Sequence, residues 1–321
     1  RKFSPSHVNQ LFGKVGFNSE MSRFEISYTG AHNLLIGNGL TPKDLLGAER
    51  DGIHTLEDET KNEYSQIALN MSHFFDEETM MAGNAYYKRS DQATFNGDLN
   101  DEFCDEDSHD EEECTAAQQA LSASDAENLN EGVYNRTSTL QDVFGLNLQT
   151  TFDQDWRGRR NQLVAGVSAE YSQIKFKQTG QEVAALNVSG FFGGPLGAIE
   201  QSSGLTGKTK TYGAFVTNTH SLDDRLNINT AVRYNHVQVD NRDTFNVTGG
   251  STSLTGKHHF ERFNPSLGIT FQPNEILSTY ASYSESSRAP TSIELGCANP
   301  DQPCNLPTQM ADDPPLHQVV A

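Results

Sequence analysis

The 321-residue sequence has no apolar run near the about eighteen residues that a membrane-crossing helix needs, so helical spans are excluded. Basic residues are scarce: 23 Lys and Arg stand against 43 Asp and Glu, a formal net charge of -20. Without a clustered basic face the chain has nothing to hold a phosphate backbone, so no nucleic acid is expected among its partners. Repeats are lacking as well, and a propeller would show a motif about every forty residues. No helical pattern stands out beyond a short stretch at Thr115–Asn130. The first residues, RKFSPSHVNQ, have no apolar segment of the kind a leader peptide carries. A processed leader or a missing start is therefore expected.

Cysteine is limited to four positions in two close pairs, Cys104 with Cys114 and Cys297 with Cys304. Neither pair has CxxC spacing and the pairs lie far apart, which argues against a zinc centre. Close pairs inside polar loops predict two local disulfides in an oxidising compartment. The first pair brackets an acidic run, DEFCDEDSHDEEEC, with nine carboxylates and one histidine between Asp101 and Cys114. Its carboxylates lack the Asp-x-Asp-x-Asn-Gly order that wraps a calcium ion. A solvated loop tip held by the disulfide is the expectation, with no metal site. No catalytic constellation and no cofactor motif is present.

What the sequence does have is period-two alternation. Leu226, Ile228, Thr230, Val232 and Tyr234 share one face, and Asn227, Asn229, Ala231, Arg233 and Asn235 the other. The same alternation sets Phe144, Leu146, Leu148, Thr150 and Phe152 against Gly145, Asn147, Gln149 and Thr151. It also sets Leu163, Ala165, Val167, Ala169 and Tyr171 against Gln162, Val164, Gly166, Ser168 and Glu170. Extended over the chain, it predicts ten strands near 7–17, 23–31, 62–74, 79–91, 137–152, 160–176, 209–221, 225–241, 259–272 and 276–286. Tight turns around 18–22, 76–78, 153–159, 223–224 and 273–275 alternate with long connections at 32–61, 92–136, 177–208, 242–258 and beyond Ser287. Only 35% of residues are hydrophobic, as expected when an apolar outer band is balanced by a polar lumen. The fold class expected is all-β: an antiparallel up-and-down transmembrane β-barrel segment with short periplasmic turns and long extracellular loops. The sequence closes on a proline-bearing stretch with no evident strand. Because closure needs the first and last strands to pair, one partial barrel domain over 1–321 is expected, with flanking strands elsewhere.

Three stretches carry a family resemblance: NAYYKRSDQATFNGD (84–98), HHFERFNPSLGITFQ (258–272) and YASYSESSRAPTSIELGCANPDQPCNLP (280–307). The last is the most specific, a strand rising into a loop with Arg-Ala-Pro, Glu-Leu and a cysteine pair. They resemble the barrel of a TonB-dependent outer-membrane receptor. The resemblance implies a plug domain not contained in these residues and a location in the outer membrane of a Gram-negative cell. It implies contact with outer-membrane lipid and lipopolysaccharide, and active uptake of a ferric siderophore or similar scarce nutrient driven by the TonB energy-coupling protein. An outer-membrane protease of ten strands is the alternative enzyme reading, but Asp223 and Asp224 fall in a short turn on the wrong side. A passive porin is the third.

Candidate substrate contacts are few. Arg233 and Glu170 alternate onto the lumenal face, where they either meet substrate and plug or are satisfied within the wall. His258, His259 and Arg262 sit where a long connection re-enters a strand, and suit an anionic or iron-bearing ligand. Adjacent histidines on a strand point to opposite faces, which makes the pair a poor chelate.

Overall fold

Alternation becomes strand in every place expected. The computed structural model describes residues 5–37, 58–99, 132–183, 194–247, 253–297 and 319–320. Its strands are β1 (His7–Asn18), β2 (Ser22–Gly37), β3 (Asp58–Phe74), β4 (Thr79–Leu99), β5 (Gly132–Asp153), β6 (Asn161–Val183), β7 (Glu200–Ser221), β8 (Leu226–Asp243), β9 (Gly256–Phe271) and β10 (Thr279–Ser284). They form one antiparallel sheet in chain order, β1 to β10, without a crossover.

Short polar side chains set the tight turns. Asp76 Oδ1 accepts from the Glu78 and Thr79 amides at 2.9 and 2.6 Å. Asp223 Oδ1 accepts from Arg225 and Leu226 at 2.7 and 2.8 Å. Asn274 Oδ1 accepts from Ile276 and Leu277 at 3.0 and 2.9 Å. One carboxylate or amide oxygen thus replaces a backbone acceptor three times over. The β5–β6 hairpin turns through Arg157 and Gly158, both at positive φ (57° and 73°), the geometry a two-residue hairpin loop favours.

The two faces of the sheet differ in kind. Cross-strand rows such as Phe17–Phe24–Met71 and Leu148–Val167–Ala214–Tyr234–Phe263 make one face apolar. These side chains are exposed: Val15 is 72% accessible, Phe144 57%, Val167 56% and Phe263 65%. An exposed apolar band across every strand faces lipid, because no water-soluble surface would bear it. Tyr28, Tyr87, Phe144, Tyr171 and Tyr212 ring its upper margin as an interfacial girdle. Above the girdle the same face turns polar, with His236, Gln238 and Asp240 on β8. The opposite, lumenal face carries amides, hydroxyls and the charges discussed below.

The strands run further toward the long connections than alternation indicated. β6 reaches Val183 rather than residue 176, and β7 begins at Glu200 rather than 209. The reason is physical: once both faces are polar, alternation disappears while the hydrogen-bonded ladder continues.

The segment after β10 also differs from expectation. It holds a two-residue strand, β11 (Ser287–Arg288), and one helical turn and a half, α1 (Ser292–Cys297). β11 pairs with β12 (Val319–Val320). The acidic run, the expected helix at 115–130, and Cys104, Cys114 and Cys304 lie outside the described residues. Among the described residues no helix is long and apolar enough to cross a membrane, which says nothing of strands.

Candidate functional site

Ladder registers place Arg233, Arg262, Glu170 and His258 on one lumenal panel of β5–β9. From the turns upward, its rows are Gln149–Gly166–Phe215–Arg233–Asn264, then Asn147–Ser168–Gly213–Asn235–Arg262, then Gly145–Glu170–Thr211–Val237–Phe260, then Val143–Ser172–Thr209–Val239–His258. Four of the five expected contacts therefore share one surface. His259 does not join them, since it is exposed on the outer face opposite Gln238.

Arg233 is held in an extended pose. Its Nε donates to Asn235 Oδ1 at 2.7 Å and its Nη2 to Ser168 Oγ at 3.0 Å. The reach passes over Gly213, where a Cβ would meet the guanidinium. The guanidinium also lies 5.9 Å from the centre of the Phe215 ring. Glu170 accepts a short hydrogen bond from Tyr86 Oη. The Tyr86 ring in turn covers Gly145, the one residue type that leaves room for it there. Both charged side chains thus have hydrogen-bond partners within the wall.

Arg262 is satisfied in part. Its Nη2 pairs with Glu285 Oε2 at 3.0 Å, and Tyr283 Oη donates to the other carboxylate oxygen at 2.8 Å. Arg262 Nε and Asn264 Oδ1, however, are buried with no partner among the described residues. Arg233, Asn235, Asn264 and Glu285 line a cavity of about 430 Å³ that opens here. One donor and one acceptor are therefore unspent within the wall, Asn264 on the cavity lining and Arg262 one row above it, opposite the lining residue Asn235.

The upper end of the panel is roofed by the Arg-Ala-Pro-Thr-Ser-Ile-Glu-Leu segment. Thr291 Oγ1 accepts from the Glu294 amide at 3.2 Å, and Glu294 Oε2 accepts from the Thr291 amide at 2.6 Å. This reciprocal capping box starts α1. Arg288 grips the same carboxylate with both terminal nitrogens, at 2.8 and 2.9 Å. The Arg288 guanidinium and the Thr291 donors hold the Glu294 carboxyl at about 2, well below the usual carboxylate range. Asn241 Nδ2 donates to the Ser292 carbonyl at 2.9 Å, tying α1 to β8. Gly207 allows the approach, since a Cβ there would collide with the Ser292 side chain. Beneath lie the few deeply buried apolar groups, among them Phe176 (4% accessible), Leu205 (2%) and Val239 (1%). Sequence reasoning missed this cap, although Thr-x-x-Glu directly after a proline is a legible helix start.

No group of three or more potential metal ligands occurs among the described residues. Cys297 closes α1, and Cys304 lies outside the described residues.

The family model described as TonB dependent receptor-like, beta-barrel matches residues 8–316. Among solved structures, the chain is similar to the open form of the ferric-catecholate import receptor Fiu from E. coli K12, with a TM-score of 0.67 and 12% identity over 90% of this chain and 48% of that one. It is similar to the siderophore receptor PiuA from Acinetobacter baumannii, with a TM-score of 0.64 and 15% identity over 88% and 42%. It is also similar to the pyoverdine outer membrane receptor FpvA from Pseudomonas aeruginosa PAO1 bound to pyoverdine, with a TM-score of 0.66 and 16% identity over 89% and 39%. At such identities the likeness establishes the fold. The chain spans less than half the length of each of these structures. A comparison with curated proteins gives no match.

Proposed function

Because the chain belongs to the TonB-dependent receptor-like β-barrel family, set in the outer membrane of Gram-negative cells, we propose that its protein imports a ferric siderophore or a comparable scarce chelate. Three kinds of support converge. The similar structures include ones named as a ferric-catecholate import receptor and a siderophore receptor. The sheet divides into a lipid band and a polar lumenal panel, as a wall around a solute path must. The observation that carries the reading is the unspent pair on that panel, Arg262 Nε and Asn264 Oδ1, near a cavity lined by Arg233, Asn235, Asn264 and Glu285. An oxygen-rich chelate offers acceptors and hydroxyl donors to match both.

In this reading Arg233, Arg262, Glu170 and His258 line the path or meet a plug, while His259 faces outward. Strands paired to the free edges of β1 and β10 complete the wall, since an open edge in a bilayer leaves backbone groups unsatisfied. Disulfides Cys104–Cys114 and Cys297–Cys304 staple the extracellular loops. Thiol titration of the unreduced protein should find no free cysteine, and four free thiols would remove both bridges.

The decisive test is uptake of radiolabelled iron chelates by cells that carry or lack the TonB energy-coupling protein. Accumulation should vanish when the coupling protein is deleted. Persistent uptake would overturn the reading and leave a passive pore.

A further inference from the structure

The lumenal cavity beside Arg233 already has a carboxylate in its lining. The β9–β10 ladder climbs to Ser284, opposite Ser266, and its last rung is the Glu285 amide donating to the Pro265 carbonyl at 2.9 Å. Proline has no N–H to return that bond, so the ladder stops and the chain is free to leave the wall. Alternation along β10 would set Glu285 on the outer face with Tyr283. Its side chain instead lines the cavity of about 430 Å³ together with the lumenal Arg233, Asn235 and Asn264.

That carboxylate is divided between two donors. Oε2 accepts from Arg262 Nη2 at 3.0 Å, and Oε1 accepts from the Tyr283 hydroxyl at 2.8 Å. A carboxylate meets arginine best when both its oxygens lie on neighbouring guanidinium nitrogens. Tyr283 draws the second oxygen away, and Arg262 Nε is left buried with no partner among the described residues. Asn264 Oδ1 and Ser287 Oγ, both on the cavity lining, are buried and unpartnered in the same sense. Solute can still reach the ion pair, since the Arg262 and Glu285 side chains are 33% and 29% accessible. A half-used guanidinium, a spare acceptor and a spare hydroxyl thus surround one singly engaged carboxylate.

We propose that Glu285 stands in for the cargo: a free carboxylate of the imported chelate displaces it and takes Arg262 through Nε and Nη2 together. The exchange trades hydrogen bonds only, and the displaced Glu285 keeps its bond from Tyr283. The site therefore selects an iron chelate that holds a carboxylate clear of its metal, over one that offers only hydroxamate and amide oxygens. The inference rests on the import reading above and names the chemistry its site prefers.

The test is equilibrium dialysis of radiolabelled ferric citrate, a tricarboxylate chelate, and ferrioxamine B, a hydroxamate chelate, against full-length protein in detergent. Ferric citrate should bind more tightly by about tenfold, the worth of one hydrogen bond between charged groups. Glu285→Gln removes the competitor and should tighten ferric citrate binding by about tenfold again, leaving ferrioxamine B unchanged. Arg262→Gln should weaken ferric citrate binding and, combined with Glu285→Gln, abolish the gain, because the exchange runs through that guanidinium. Tyr283→Phe should act in the opposite direction to Glu285→Gln. It releases the second oxygen, lets Glu285 occupy both nitrogens itself, and should weaken ferric citrate binding by about fivefold. This variant carries the test if position 285 does not tolerate substitution, and an unchanged ferric citrate affinity in it overturns the proposal. Weaker ferric citrate binding by Glu285→Gln also overturns it, since Glu285 would then merely hold Arg262 in place. So does ferrioxamine B bound as tightly as ferric citrate, or an equal gain for both chelates. Coupling-independent uptake with these shifts intact sinks the import reading alone. Coupling-dependent uptake without the shifts sinks this inference alone.

Discussion

A single carboxylate decides whether the roof of the lumenal panel stays in place. Glu294 accepts from Arg288 and from the Thr291 amide while its own amide is capped by Thr291. Its folded value of about 2 lies below that of a free carboxyl, so its ionised form is what the folded segment prefers. A depressed carboxyl contributes stability that is complete above the ordinary value near 4.5 and declines as pH falls toward 2. Protection factors of the Ser292–Cys297 amides in the full-length protein, which correct for the pH dependence of intrinsic exchange, should therefore be flat from neutral pH down to about that ordinary value and fall below it. Glu294→Gln should remove the acid dependence and expose the segment at neutral pH. A segment equally protected at both ends of this range would show that the carboxylate does not hold the roof. The charges named from the sequence behave otherwise. Arg233 and Glu170 were legible as lumenal because alternation fixes the face of every residue on a strand. Their partners Ser168, Asn235 and Tyr86 were not legible, because cross-strand register depends on ladders between distant segments.

Elements in this chain are specified unequally along their length. Below the girdle each strand alternates between lipid and lumen, and all ten were readable with their order. Above it, β6 beyond Phe176 and β7 before Thr209 carry mostly polar side chains, and alternation gives little signal there. α1 is too short for a helical period to reveal, and only its capping box marks it in the sequence. Turns were readable from their Asp and Asn residues, whose side-chain oxygens do the work of a backbone acceptor. Asp76→Ala, Asp223→Ala and Asn274→Ala should each destabilise the folded barrel by about 0.5–1.5 kcal/mol, the net worth of a hydrogen bond. Denaturant midpoints of the refolded protein measure this, and unchanged midpoints would remove the turn residues as determinants. Gly207→Val should displace α1 from β7, since even a Cβ collides with Ser292. Proteolysis should then cleave within 287–297 while the ladder of β7 remains intact.

At the scale of the whole molecule, hydrophobicity is inverted relative to a water-soluble domain. Among the described residues the deeply buried apolar ones are few, whereas the large apolar side chains stand exposed in a band. Two adjacent positions on β5 separate a lipid-facing band from a merely exposed surface. Leu146 lies in the band and is 49% accessible; Asn147 is also exposed, on the lumenal face. In a water-soluble sheet both would tolerate arginine within about 0.5 kcal/mol, as exposed surface positions do. In a bilayer the two diverge, because a guanidinium on the lipid face must be drawn toward the interface or desolvated. Leu146→Arg should lower the folding free energy of the full-length protein in lipid vesicles by about 2 kcal/mol, within the range for arginine between midplane and interface. Asn147→Arg should fold within error of the unaltered protein, since its side chain meets lumenal water and amides. Urea unfolding of the two variants in the same vesicles reads the difference directly. Equal midpoints would mean that Leu146 does not face lipid, and the placement of the sheet in the membrane would fall with it.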